Sequence, residues 1–103
     1  MRCRRPEPIP EEVRRAADLL ERRWTLSILY ASFEGAERFN EFRGALGRVP
    51  PATLTARLTE LVEAGLLERR VLDTRPPGVE YRLTPVGRRF KPLLSALGRC
   101  SRT

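Results

Sequence analysis

Apolar residues recur along this chain at two spacings, and the change from one to the other divides it. Through the first two thirds they fall three and four residues apart, the repeat of an α-helix with one buried face. In "IPEEVRRAADLLERRW" the positions are Val13, Ala16, Ala17, Leu20 and Trp24, which predicts a first helix. Pro10 and the pair Glu11 and Glu12 stand at its start, where a helix tolerates proline and favours negative charge. "WTLSILYASFEG" is apolar on nearly every side, through Leu26, Ile28, Leu29 and Phe33, and predicts a buried central helix stopping at Gly35. "ERFNEFRGALG" predicts a short helix on Phe39, Phe42 and Leu46, with Asn40 placed to help satisfy its start and Gly47 to end it. A fourth helix follows after a tight turn, carried by Leu54, Leu58, Leu61 and Val62 and closed by Gly65.

Beyond Gly65 the period drops to two. Val79, Tyr81 and Leu83 alternate with Glu80 and Arg82, and "LLERRVL" is rich enough in branched residues to pair with them. "DTRPPG" between the two segments reads as a stiff turn bearing one arginine. Helical spacing returns in "TPVGRRFKPLLSALG", with Thr84 as cap, Pro85 in the first turn and an apolar stripe of Val86, Phe90, Leu93, Leu94 and Leu97. Pro92 is expected to kink or break this last helix. The predicted fold is mainly α with a small β-hairpin. Its order, a short helix, a tight turn, a longer helix and then a hairpin, is that of a winged helix-turn-helix. The expected boundaries are a flexible basic arm over 1–9, the domain over 10–98 and a tail over 99–103. Within the domain the recognition helix is expected at about 51–63 and the wing at about 67–83.

The fourth helix, "PPATLTARLTELVEAG", is unusual on its outer side. Stepping 100° per residue puts Leu54, Leu58, Leu61 and Val62 within about 100° of one another. Ala52, Thr53, Ala56, Thr59 and Glu60 lie opposite, with Thr55 and Arg57 on the flanks. A merely solvated face would favour lysine and glutamate, which are better helix formers than threonine. Small polar residues instead let a helix seat deeply in a DNA major groove, where threonine presents a hydroxyl and a methyl to base edges. Pro51 suits the first helical position, and Pro50 stands where a serine or threonine cap is usual. The N–H groups of Ala52 and Thr53 therefore have no side-chain acceptor and are open to water or to a DNA phosphate.

Charge and composition narrow the function. The 103 residues suit one domain with one modest core, and 41% hydrophobic with 32% charged residues is a globular composition. The formal net charge is +7, and Lys91 is the single lysine among 20 basic residues, the rest being arginine. A coding bias towards arginine on an ordinary surface accounts for part of this. A polyanion partner accounts for it better, since the guanidinium fork fits phosphates and guanine edges. The absence of histidine excludes histidine-centred acid–base catalysis. Two cysteines, Cys3 and Cys100, offer no zinc-ligand spacing, so no metal or cofactor is expected, and the chain is not expected to be an enzyme. With no apolar run near the ~18 residues of a membrane span and no apolar segment behind the N-terminal arginines, the expected location is the cytoplasm.

"RRWTLSIL", "ERFNEFRGAL", "LTARLTELVEAGLLERR" and "PPGVEYRLTPVGRR" closely resemble the HxlR-type winged helix-turn-helix regulators of bacteria, from about Val13 to Leu97. The resemblance implies a homodimeric transcription factor, most often a repressor, whose first and last helices form much of the dimer interface. Here those helices would contribute Val13, Ala17, Leu20, Phe90, Leu94 and Leu97. Each subunit would place its recognition helix in a major groove and its wing on flanking DNA. Carried over by position, Ala52, Thr53, Thr55, Ala56 and Arg57 are the expected contacts from the recognition helix. Arg75 at the wing tip would reach the flanking groove or backbone, and Arg38 and Asn40 would touch phosphates. Arg57 is equally placed to pair with Glu60, and Asn40 to act only as a cap.

The chain departs from the family pattern in three places. A cysteine–proline pair common at the start of the first helix is Glu11 and Glu12 here; Cys3, among Arg2, Arg4 and Arg5, is the remaining redox candidate. Glu21, Arg22 and Arg23 replace Gly-Gly-Lys before the tryptophan, and Pro50 and Ala52 replace a serine cap and a basic residue of the recognition helix. Two other functions compete with a plain regulator. One is a sensor whose DNA binding responds to a redox signal or to a small effector held near Trp24, Leu29, Tyr30 and Phe33. The other is a winged-helix protein-interaction module, which an acidic recognition surface would favour and this surface does not.

Overall fold

The computed structural model describes residues 6–102. The elements run α1 (Glu11–Leu20), α2 (Thr25–Phe33), α3 (Phe39–Leu46), α4 (Pro51–Glu63), β1 (Leu67–Leu72), β2 (Gly78–Leu83), α5 (Pro85–Arg88) and α6 (Lys91–Ser101). This is the mainly helical, single-hairpin order that the spacing predicts. The core forms where α2, α3 and α4 cross. Ile28 and Leu29 of α2, Phe42 of α3, and Leu54, Leu58 and Leu61 of α4 expose no surface, and Ala31, Val49, Leu66, Leu67 and Leu94 complete the cluster. Burying each of the larger side chains contributes roughly 1.5–3 kcal/mol, so these positions hold α4 in place.

Two glycines set the ends of the helix-turn-helix. Gly47 after α3 has φ of 82° and Gly65 after α4 has φ of 84°, conformations that a Cβ would strain. The hairpin is antiparallel, with Leu67 opposite Leu83 and Leu72 opposite Gly78. It is anchored on its inner side: the Tyr81 N–H donates to the Glu37 carbonyl at 2.7 Å, and the Tyr81 ring meets Phe42 edge-on, with centroids 6.5 Å apart. At its far end Thr84 acts three ways. Its hydroxyl donates to the Gly65 carbonyl (2.5 Å) and accepts from the Gly87 N–H (3.0 Å), and its own N–H donates to Leu66 (3.0 Å). One residue thus caps α5 as expected and also fastens the end of the wing to the end of α4.

Four expectations are corrected. The first helix stops at Leu20, and residues 21–24 form a turn with Trp24 in the left-handed region (φ 81°). Trp24 keeps helical spacing with Leu20 yet packs against the core beside α2, and periodicity alone cannot register a chain reversal between them. The last helix is two helices, and Pro92 lies in the first turn of the second, where its missing N–H is harmless. The break therefore precedes Pro92, and α6 continues to Ser101, past the boundary expected at 98. Glu41, not Asn40, satisfies the start of α3: its carboxylate accepts from the N–H groups of Glu37 (2.8 Å) and Arg38 (3.0 Å). Leu94, assigned to a dimer interface, is 3% exposed and belongs to the protomer's own core.

Candidate nucleic-acid interface

The outer face of α4 is small and unencumbered. Ala52, Thr55, Ala56 and Thr59 are exposed, while Thr53 is half-buried near the helix start. Pro50 caps the helix without a side-chain hydrogen bond, and Pro51 occupies the first turn. The first bond made inside the helix is Leu54 N–H to Pro50 O at 2.9 Å, which leaves the amides of Ala52 and Thr53 directed out of the helix end. These donors lie at the positive end of a 13-residue helix.

Arg57 does not project from this face. Its Nε donates to the carbonyl of Arg23 at 2.9 Å, and its Nη1 donates to Glu60 at 3.2 Å. The side chain is 18% exposed. Glu60 also receives Arg22, at 3.3 Å. Four residues thereby bind the α1–α2 corner to the second and third turns of α4. The pairing with Glu60 that helical spacing allows is present, and the tie to Arg23 comes with it. Arg23 in turn lies over the Trp24 ring, its guanidinium carbon 5.1 Å from the centroid.

The remaining expected contacts sit apart from α4. Arg38 and Asn40 are exposed at the start of α3. The Arg38 guanidinium packs over Gly78 at the tip end of the wing, where β2 begins, so closely that a Cβ there would collide with it. Arg75 is exposed at the hairpin tip, in a turn where the Thr74 hydroxyl donates to the Pro76 carbonyl at 2.8 Å. The flank of the wing is charge-balanced: Glu80 pairs with Arg82 at 3.1 Å and lies opposite Arg70, and Arg82 also pairs with Glu37 at 3.4 Å. Backbone N–H groups from Glu37 and Arg38 hold the Glu41 carboxyl below its ordinary value.

Sequence reasoning passed over Arg23 and Arg48 as candidate contacts. Both are exposed beside the N-terminal turn of α4, and neither pairs with a carboxylate among the described residues. The signal was present in the Arg22–Arg23 replacement and in the arginine two residues before the double proline. Of the space expected near Trp24, Leu29, Tyr30 and Phe33, Leu29 is wholly buried in a filled core. Open clefts lie on either side of Tyr30, about 620 Å³ towards α3 and about 690 Å³ towards α6, the second lined by Phe33 as well, and Trp24 borders a further one. Cys3 lies outside the described residues; Cys100 is a free thiol, exposed on α6. No helix among the described residues is long and apolar enough to cross a membrane.

The comparisons agree with this geometry. An HTH-type transcriptional regulator of Mycobacterium tuberculosis, Rv3095, is 46% identical over 78 residues, covering 76% of this chain and 49% of its own length. The chain thus spans about half the length of that relative. A crystal structure of a MarR-family transcriptional regulator from Enterococcus faecalis V583 superposes with a TM-score of 0.77 at 34% identity, over 85% of this chain and 80% of its own. The redox regulator HypR in its reduced form superposes with a TM-score of 0.79 at 32% identity, over 86% of this chain and 88% of its own. The profile of the HxlR-like helix-turn-helix matches residues 19–102, and the chain belongs to that family.

Proposed function

We propose that this chain binds double-stranded DNA in the cytoplasm as a homodimer and regulates transcription, most simply as a repressor. The observation that carries the reading is the outer face of α4 over Ala52, Thr55, Ala56 and Thr59, small, exposed and free of charged side chains, on a protein of net charge +7. Ala52, Thr55 and Ala56, with Thr53 at the rim, are assigned to base edges, and Arg38, Asn40 and Arg75 to the backbone on either side. Arg57, its Nε and Nη1 engaged within the protomer, is assigned to holding α4 in position rather than to reading bases. Val13, Ala17, Leu20, Phe90 and Leu97 remain the proposed dimer contacts. No catalytic role is assigned to any residue.

A redox-responsive output is the second reading, favoured by the likeness to HypR. Its candidate thiols are Cys3 and Cys100. Selection of bound sequences from a random duplex pool, with and without oxidant, tests both readings. The expected product is a pseudo-palindrome whose half-sites lie about one helical turn apart or a multiple of it. Recovery of unrelated sequences overturns the regulator, and identical recovery with oxidant overturns the redox reading. Retention of all duplexes with no effect of salt would also count against specific recognition.

A further inference from the structure

The α1–α2 corner and the N-terminal turn of α4 enclose an open cleft of about 430 Å³, lined by Arg23, Trp24, Arg48, Pro50, Thr53 and Arg57. Its three arginines come from three separate segments: the corner, the turn between α3 and α4, and α4 itself. No carboxylate lines it. The nearby Glu60 is already shared by Arg57 and Arg22, so its charge is committed outside the cleft. Like charges gathered this way repel one another in the free protein, and an anion placed among them relieves that repulsion. The cleft is also held in shape. Arg57 fixes the corner through the Arg23 carbonyl, and the Trp24 ring lies beneath the Arg23 guanidinium. The exposed Thr55–Ala56 face begins within one helical turn of it, the separation between a base contact and a neighbouring backbone contact.

We propose that this cleft holds one phosphodiester of the DNA backbone, with Arg23 and Arg48 as its ligands and Arg57 as a positioning residue. The proposal rests on the DNA-binding reading of α4 and adds to it a phosphate contact from outside the helix-turn-helix. Arginine donates in a planar fork that matches phosphate oxygens, and such charge-assisted bonds are the stronger kind. The amides of Ala52 and Thr53 lie at the same end of α4 and contribute to the same field.

The test uses the full chain and a duplex selected from a random pool, with binding measured across a range of salt. Arg23→Ala and Arg48→Ala are each expected to weaken binding to selected and random duplex by a similar factor, roughly tenfold, the scale of one hydrogen bond to a charged group. Each should reduce the slope of log affinity against log salt by about one. Both side chains are exposed, so unchanged thermal melting is expected to show that the fold is intact. Duplexes carrying one neutral methylphosphonate at successive positions then locate the phosphate. At the contacted position the modification weakens the wild type and adds nothing to the Arg48→Ala variant. Wild-type binding with unaltered slopes in both variants overturns the cleft and leaves the DNA reading standing; failure of the wild type to bind any duplex overturns both. Inorganic phosphate added to the DNA-free protein separates the sources of the anion, because Trp24 is the single tryptophan and lies at the cleft. A Trp24 fluorescence change that saturates at low millimolar phosphate and disappears in Arg48→Ala would assign the cleft to a free anion and overturn the DNA-phosphate proposal.

Discussion

Glu41 and Gly87 show how much local structure rests on single residues. The Glu41 carboxylate accepts two backbone N–H bonds at the start of α3, and its pKa is held below the ordinary 4.5. A group depressed by folding stabilises the fold fully above its unfolded value, and that contribution is lost as pH falls from about 4.5 through the lowered folded value. Glu41→Gln should therefore lower the neutral plateau of a melting-temperature profile and leave its acid end little changed, so that the acid limb flattens. An unchanged acid limb would mean that the carboxylate is not held this way. Gly87 is tighter still: an added Cβ would strike the Leu66 carbonyl and come within 3.2 Å of Leu83 Cδ2. Backbone cannot yield as a side-chain end can, so Gly87→Ala should cost about 1–3 kcal/mol in denaturant unfolding. Gly78→Ala meets only the flexible end of Arg38 and should leave stability nearly unchanged in the same measurement. None of this was legible in the sequence. Glu41 lies one residue from Asn40, the expected cap, and Gly87 resembled an ordinary helical glycine.

Among the elements, α4 was the most legible and its surroundings the least. Its limits, its buried leucines and its exposed small residues follow from a four-residue repeat bounded by proline and glycine. Arg57 is different, because helical spacing showed Glu60 as one partner but could not show the Arg23 carbonyl, 34 residues earlier. That tie joins the corner after α1 to the helix proposed to read DNA. Arg57→Ala should lower stability by roughly 1 kcal/mol, the scale of a net hydrogen bond with a partly exposed ion pair, and should shift Trp24 fluorescence in the absence of DNA. A variant with wild-type stability and emission would show that the corner does not depend on Arg57. The split between α5 and α6 has a similar lesson. Pro92 announced an interruption, but proline is compatible with the first turn of a helix, so the break fell before it.

At the scale of the molecule, the radius of gyration of 16.2 Å exceeds the ~13 Å of a compact domain of about 100 residues. α1 stands outside the core: none of its residues is buried although its apolar positions share one face. Val13 is 51% exposed, and Leu93 and Leu97 of α6 are each 42% exposed. Both faces remain available to the proposed second copy. Val13→Arg combined with Leu97→Glu is expected to convert a dimer to a monomer in sedimentation analysis and to abolish binding to a two-half-site operator. A variant that sediments as a dimer would place the interface elsewhere. The family resemblance, not the amphipathic pattern, assigned both helices to this proposed surface, and Leu94 of the same stripe turns inward, where α6 packs on the core.

The bond from Tyr81 to Glu37 makes the hairpin something other than a loose appendage. Pinned at Glu37 near its middle and at Thr84 by its foot, the wing stands at a fixed distance from α4. On the proposed DNA-binding reading it would work as a ruler: on a duplex whose outer contact lay one base pair further along, α4 and the Arg75 tip would not both find their places.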